Sequence, residues 1–274
     1  VSLCQPDSIK SCGACCGLYN WHDHGRETLV RLLRGRTTLF RSFGQDLQLE
    51  AYSLAAKELT AGRKLLDDIY NCEFLGFLDE EERRVGCLLH PSVNKGLDLR
   101  DSSFYGPSLC AAHMCPSHEH LTETERLSVI ESLEDWYLYG LVITDIDLVK
   151  EFSRHAQDRL GDIIRPECLH DEGVRAALRA FFELKAAWRF ASAEPRLGKY
   201  YFTHSEYRVA RIDYEKRWKI GPSRFDRILI SLSSEFQTEA EVREAEAVIE
   251  EKLGDFVQAY QKAAKYRCLA PDLA

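Results

Sequence analysis

The chain has 274 residues, 45% of them hydrophobic and 29% charged, and Lys+Arg 36 against Asp+Glu 44 give a net charge of −8. That balance supports a packed core and argues against a nucleic-acid backbone as the main partner. No apolar run reaches the roughly 18–20 residues of a membrane-spanning helix, and the first residues have neither the basic nor the apolar region of a secretion signal. A cytoplasmic protein is expected, binding neither membrane nor nucleic acid, with a protein partner left open. In chain order, helical spacing of Leu29, Leu32, Leu33, Leu39, Phe40 and Phe43 predicts a helix over residues 27–43. A second is predicted from Leu47 to about residue 69, interrupted near Gly62 and ending just before Cys72. Residues 72–116 read as loop with short strands.

Thr122 and Glu125 have the spacing of a capping box, and the apolar stripe that follows predicts a helix running to Leu141. Further helices are predicted over residues 145–160, 171–191 and 238–267, a hairpin over 200–214 and a buried strand over 227–232. The expected fold is mainly α, with a loop-rich, cysteine-rich metal-binding segment and a small β-hairpin or sheet. A composition shift near residue 120 divides a cysteine-cluster region, 1–120, from a mainly helical region, 121–274.

Cysteine placement is the unusual feature. Of the 10 cysteines, Cys4, Cys12, Cys15, Cys16, Cys72, Cys87, Cys110 and Cys115 lie in the first 115 residues, while Cys168 and Cys268 stand apart and read as small buried hydrophobes. In a reducing compartment such clustering points to metal ligation before disulfides, although a disulfide framework stays open. The SCGACCG stretch sets Cys12 and Cys15 as a C-x2-C pair, whose turn can aim two thiolates at one ion while amides donate to the sulfurs. A redox dithiol uses the same spacing, normally where a strand runs into a helix. Four thiolates satisfy either zinc or an iron–sulfur cluster, so seven cysteines in three clusters exceed one site. The first-choice ligands are Cys12, Cys15, Cys72 and Cys87; Cys16, Cys110 and Cys115 come second, with His90 and His113 as nitrogen candidates. An iron–sulfur cluster is preferred over zinc because paired C-x2-C knuckles, usual for structural zinc, occur only once.

The order of these phrases resembles a cysteine-cluster family, considered zinc- or iron-chelating, with a C-x2-C-x2-C-C signature. Cys12, Cys15 and Cys16 reproduce the end of that signature; Cys72, Phe74 and Leu75 match its C-x-F-L phrase; Cys87 and His90 match the next; Cys110 and Cys115 resemble its last cysteines. Ile9 stands where the first signature cysteine belongs, and Pro91 lacks the preceding arginine, which makes Cys4 a substitute ligand. The same order is similar to the N-terminal part of flagellin lysine N-methylases, for which an iron–sulfur cluster is the expectation. The resemblance covers about the first 120 residues.

P-loop, GxGxxG, HExxH and GxSxG motifs are missing, as are the radical-generating C-x3-C-x2-C and the ferredoxin cysteine run. His118-Glu119-His120 reads as a solvated approach to a helix rather than a metal motif. The aromatic residues of the second half read as core, and the basic stretch from Arg208 to Arg227 as a solvated face. The expected function is a metal-binding protein whose cysteine-ligated iron–sulfur or zinc site is structural or redox-active. A protein-modifying, lysine methylase-like enzyme and a zinc or iron carrier are the alternatives.

Overall fold

The computed structural model describes residues 2–43, 48–196, 200–203 and 206–266, without the side chains of 201–203, 206, 207 and 266. The chain is mainly α-helical, and its described strands form two two-stranded antiparallel sheets. It divides into two compact units, the first made of Val1–His118 with Asp135–Gly140 and the second of Glu119–Glu134 with Leu141–Ala274.

In the first unit, α1 (Arg26–Ser42) buries Leu29, Leu32, Leu33, Arg36, Thr37 and Phe40, the one-sided stripe that a 3.6-residue period creates. Helix α2 (Leu49–Glu58) stops well short of the predicted end near residue 69; Leu47 lies outside the described residues. The reason is competition for backbone hydrogen bonds. Gly62 takes φ +96°, the amide of Leu66 donates to Asn20 Oδ1 at 2.9 Å, and that of His22 donates to the Arg63 carbonyl at 2.8 Å. The segment thus bonds to the N-terminal stretch instead of to its own preceding turn. Cys72 consequently follows a turn and irregular chain and not, as the sequence suggested, a helix end.

Strands β1 (Leu75–Phe77) and β2 (Val85–Cys87) pair with Gly76 opposite Gly86. A Cβ on Gly76 would lie 2.6 Å from Thr37 Oγ1, so α1 can seat against β1 only because that side chain is absent. The unit continues through α3 (Gly106–Ala112) and into α4 (Ser117–His120), whose last two residues belong to the second unit.

The second unit opens with α5 (Glu123–Ser132), where Thr122 Oγ1 accepts from Glu125 N at 3.2 Å and Glu125 Oε2 accepts from Thr122 N at 2.8 Å, completing the predicted capping box. The helix expected to run to Leu141 breaks at Leu133. Asp135 Oδ1 then accepts from the amides of Tyr137 (2.9 Å) and Leu138 (3.0 Å), which starts α6 (Trp136–Ile143), a helix that belongs to the first unit up to Gly140 and to the second from Leu141. There follow α7 (Ile146–Leu160), α8 (Glu172–Phe182) and α9 (Leu184–Ala187), the last two replacing one helix predicted over 171–191.

Strands β3 (Tyr200–Thr203) and β4 (Glu206–Val209) form the predicted hairpin, with residues 204–205 outside the described part. Helices α10 (Tyr214–Trp218), α11 (Asp226–Ser231) and α12 (Glu239–Tyr266) complete the unit. Arg267, expected to end the last helix, lies outside the described residues. Helix α11 corrects the strand expected over 227–232: Leu229 and Leu232 amides donate to the carbonyls of Phe225 and Ile228, both at 2.9 Å. A short apolar run fits a buried strand and a buried helix equally well, and here helical hydrogen bonding wins.

The core of this unit gathers Phe152 with Phe181, Phe182 and Phe256, at ring-centroid separations of 4.5, 5.6 and 5.0 Å. Such pairs add about 0.5–1.5 kcal/mol each beyond burial. Cys168, fully buried, is disulfide-bonded, which corrects its reading as a simple apolar filler; Cys268 lies outside the described residues. Among the described residues no helix is long and apolar enough to cross a membrane.

Candidate metal centre

The N-terminal stretch is shaped by a short 3-10 turn, Ala14–Cys16, closed by Gly17 in the left-handed region at φ +78°. A Cβ on Gly17 would lie 2.5 Å from the Tyr70 carbonyl oxygen. Glycine is therefore required both by the backbone conformation and by the approach of residues 70–72. That approach lets the Cys72 amide donate to the Cys16 carbonyl at 2.9 Å. Behind it, Asn20 Nδ2 donates to Asn71 Oδ1 at 2.7 Å and Asn71 Nδ2 donates to the Asn20 carbonyl at 3.1 Å, a reciprocal buried pair that fixes the two stretches.

Two sets of four thiols result. Cys16, Cys72 and Cys87 belong to one apolar cluster with Tyr52, Phe74, Leu88 and Leu89. Cys110 extends this set, since its charge acts on Cys16 and Cys87, and its sulfur lies 3.4 Å from Ser103 Oγ. The other set is Cys4, Cys12, Cys15 and Cys115. The Cys12 amide donates to the Cys4 carbonyl at 2.9 Å. The Leu3 amide donates to His118 Nε2 at 3.2 Å, while the His118 amide donates to the Cys115 carbonyl at 2.9 Å. The Leu3 carbonyl accepts from the buried Tyr139 hydroxyl at 2.9 Å. Cys12 accordingly feels the charges of Cys15, Cys4 and Cys115.

The first-choice ligands Cys12, Cys15, Cys72 and Cys87 are thus not brought together as one foursome: two fall in each set. Cys16 and Cys110 join Cys72 and Cys87, and Cys115 joins Cys12 and Cys15 together with Cys4. Among the described residues, no three Cys, His, Asp or Glu side chains are grouped so as to hold a metal ion as they stand. The sulfurs of each set share an electrostatic neighbourhood without converging on one point.

Burial governs their protonation. It pushes Cys15 up to about 11 and Cys72 up to about 12, and raises Cys4, Cys12, Cys16 and Cys87 as well, with the charges of neighbouring thiols adding to the effect. At neutral pH, without a cation, these six are neutral thiols. Opposing the rise, the amides of Ala14, Phe74 and Leu89 donate to the sulfurs of Cys12, Cys72 and Cys87. Each donor is two residues beyond its cysteine, the arrangement that stabilises a thiolate and orients it toward a metal.

Two cations act on the first set, Arg36 on Cys72 and Arg100 on Cys87. Arg36 is only 3% exposed and donates to the Cys72 carbonyl at 2.8 Å. Sequence reasoning did not single out either arginine. The signal for Arg36 was its place within the buried stripe of a predicted amphipathic helix, where an unpaired cation is costly.

His90 is exposed, with Nδ1 2.7 Å from Ser92 Oγ, and His113 is exposed at the end of α3. The Trp188 indole donates to Ser234 Oγ at 2.8 Å within the core. In the basic stretch, Arg224 pairs with Glu250 and Arg227 with Glu151. Compared with known proteins, the chain matches no family model, no curated protein and no solved structure.

Proposed function

We propose that the first unit is a cysteine-ligated metal-binding module centred on Cys16, Cys72, Cys87 and Cys110, with a structural or redox role. The observation that carries this reading is the packing of buried Cys72 and half-buried Cys16 and Cys87 in one cluster, with backbone amides donating to two of the three sulfurs. Three neutral thiols would fill that space no better than alanine or valine, whereas thiolates need the amides and the two arginines. Loading a metal replaces thiol protons by metal–sulfur bonds, so that the thiolates formed are drawn to one cation.

The donor set, four cysteines far apart in sequence, favours an iron–sulfur cluster, which would supply one-electron redox chemistry. Zinc is the second reading, since four thiolates also suit it; it would contribute folding free energy instead. Anaerobic purification with metal and acid-labile sulfide analysis tests both. Iron with sulfide and a broad absorption near about 400 nm supports the cluster. Stoichiometric zinc without that band supports the structural ion. A folded chain holding neither, with these thiols reactive or paired, refutes the proposal.

A further inference from the structure

Resting on that reading, we infer that Cys4, Cys12, Cys15 and Cys115 form a second, separate thiolate site for a metal ion or cluster, abutting the first across the Cys15–Cys16 peptide bond. The eight free cysteines divide without remainder into two fours, the number that a tetrahedral ion or a cluster requires. Backbone geometry gathers this second four as well. The Cys12 amide reaches the Cys4 carbonyl at 2.9 Å, and the Cys16 amide turns back to the Gly13 carbonyl at 3.1 Å, which makes the tight loop between Cys12 and Cys15. Cys115 stands two residues before α4, whose His118 accepts from the Leu3 amide at 3.2 Å, one residue from Cys4. The amide of Ala14 donates to the Cys12 sulfur as Phe74 and Leu89 do to theirs.

Cys15 and Cys16 serve different sets because successive residues of a 3-10 turn project about 120° apart. One eight-thiol site is therefore disfavoured, and two adjacent sites are what the turn builds. Loading the second site with a divalent ion releases one proton to solvent for each thiol that becomes a metal-bound thiolate.

The test uses the full chain, purified anaerobically. Metal and sulfide per chain are measured for the wild type, the Cys4→Ser/Cys115→Ser variant and the Cys72→Ser/Cys87→Ser variant, with native mass spectrometry of the wild type. The expected result is two centres in the wild type and half the metal in the Cys4→Ser/Cys115→Ser protein. One centre in the wild type, unchanged in that variant, overturns the second site and leaves the first standing. No cysteine-bound metal in the wild type overturns the metal reading as a whole. Should a serine variant fail to fold, the number of centres in the wild-type mass decides.

Discussion

The amide of Cys72 donates to the carbonyl of Cys16 at 2.9 Å, so two cysteines from distant parts of the chain share a backbone hydrogen bond. Through it the 3-10 turn that holds Cys15 and Cys16 is tied to the stretch leading into β1. Both ends of the bond depend on Gly17 lying close against Tyr70 and Asn71.

Substitution Gly17→Ala tests that dependence. The left-handed conformation costs a non-glycine residue about 1–2 kcal/mol, and the added Cβ would meet the Tyr70 carbonyl at 2.5 Å and Asn71 Cα at 2.8 Å. The expected outcome is a denaturation midpoint lowered by more than the conformational cost alone, with loss of bound metal. An unchanged midpoint would show that the 70–72 stretch can retreat freely.

The raised thiols set a pH dependence. A thiol ionises at 9.0 in the unfolded chain, but at about 11 for Cys15 and about 12 for Cys72 in the fold, chiefly through burial. Above pH 9 the unfolded state therefore binds fewer protons than the native state. Stability is fully present below pH 9 and is lost as pH rises toward 11 and 12. Urea titrations of metal-free protein should show midpoints falling across that window. Metal-loaded protein should show a flat profile, because its sulfurs carry no proton to lose. Parallel profiles for the two forms would contradict metal binding at these sulfurs.

Arg36 links α1 to the thiols by donating to the Cys72 carbonyl at 2.8 Å. Arg36→Leu removes that bond and a cation acting on Cys72, with an expected stability loss of about 2–4 kcal/mol. The same variant should release metal to a chelator faster than wild type, as followed by absorbance or a zinc dye. Arg36→Lys should restore only part, because an ammonium cannot reproduce the planar fork.

In the second unit, Asp145 accepts from Leu148 N at 3.1 Å and from Ser231 Oγ at 2.9 Å, and its carboxylate pairs with Lys185 at 2.6 Å. One carboxylate thus caps α7 and holds α11. Asp145→Ala should cost about 3–5 kcal/mol, since it leaves a largely buried ammonium with the Ser231 carbonyl but without its carboxylate. In a calorimetric double-mutant cycle, Asp145→Ala/Lys185→Ala should cost less than the two single changes added together. Additive losses would mean that the pair is not coupled.

The sequence makes the mainly helical architecture legible wherever a long amphipathic stripe meets a side-chain cap. The capping box at Thr122 and Glu125 and the stripe of α1 are such cases. It misleads where short-range pattern competes with distant hydrogen bonds. Asn20 captures the backbone near Leu66 and ends α2 early, and the run Ile228–Leu229–Ile230 carries no period that separates strand from helix. At the cysteines, clustering in sequence is visible but sorting in space is not. Adjacent Cys15 and Cys16 part company in a turn, whereas Cys4 and Cys115 join through His118. Arg36 escapes notice because a cation in an apolar stripe looks like an interruption until its carbonyl partner is seen.

The two thiol sets have a nested order along the chain: Cys4, Cys12 and Cys15 precede, and Cys115 follows, the whole of the set running from Cys16 to Cys110. During synthesis the enclosed set has all its members outside the ribosome before the enclosing set gains its last one. The inner group can therefore assemble first. The outer group closes only when the segment bearing Cys115 and His118 emerges and captures the waiting N-terminal strand of chain at Leu3.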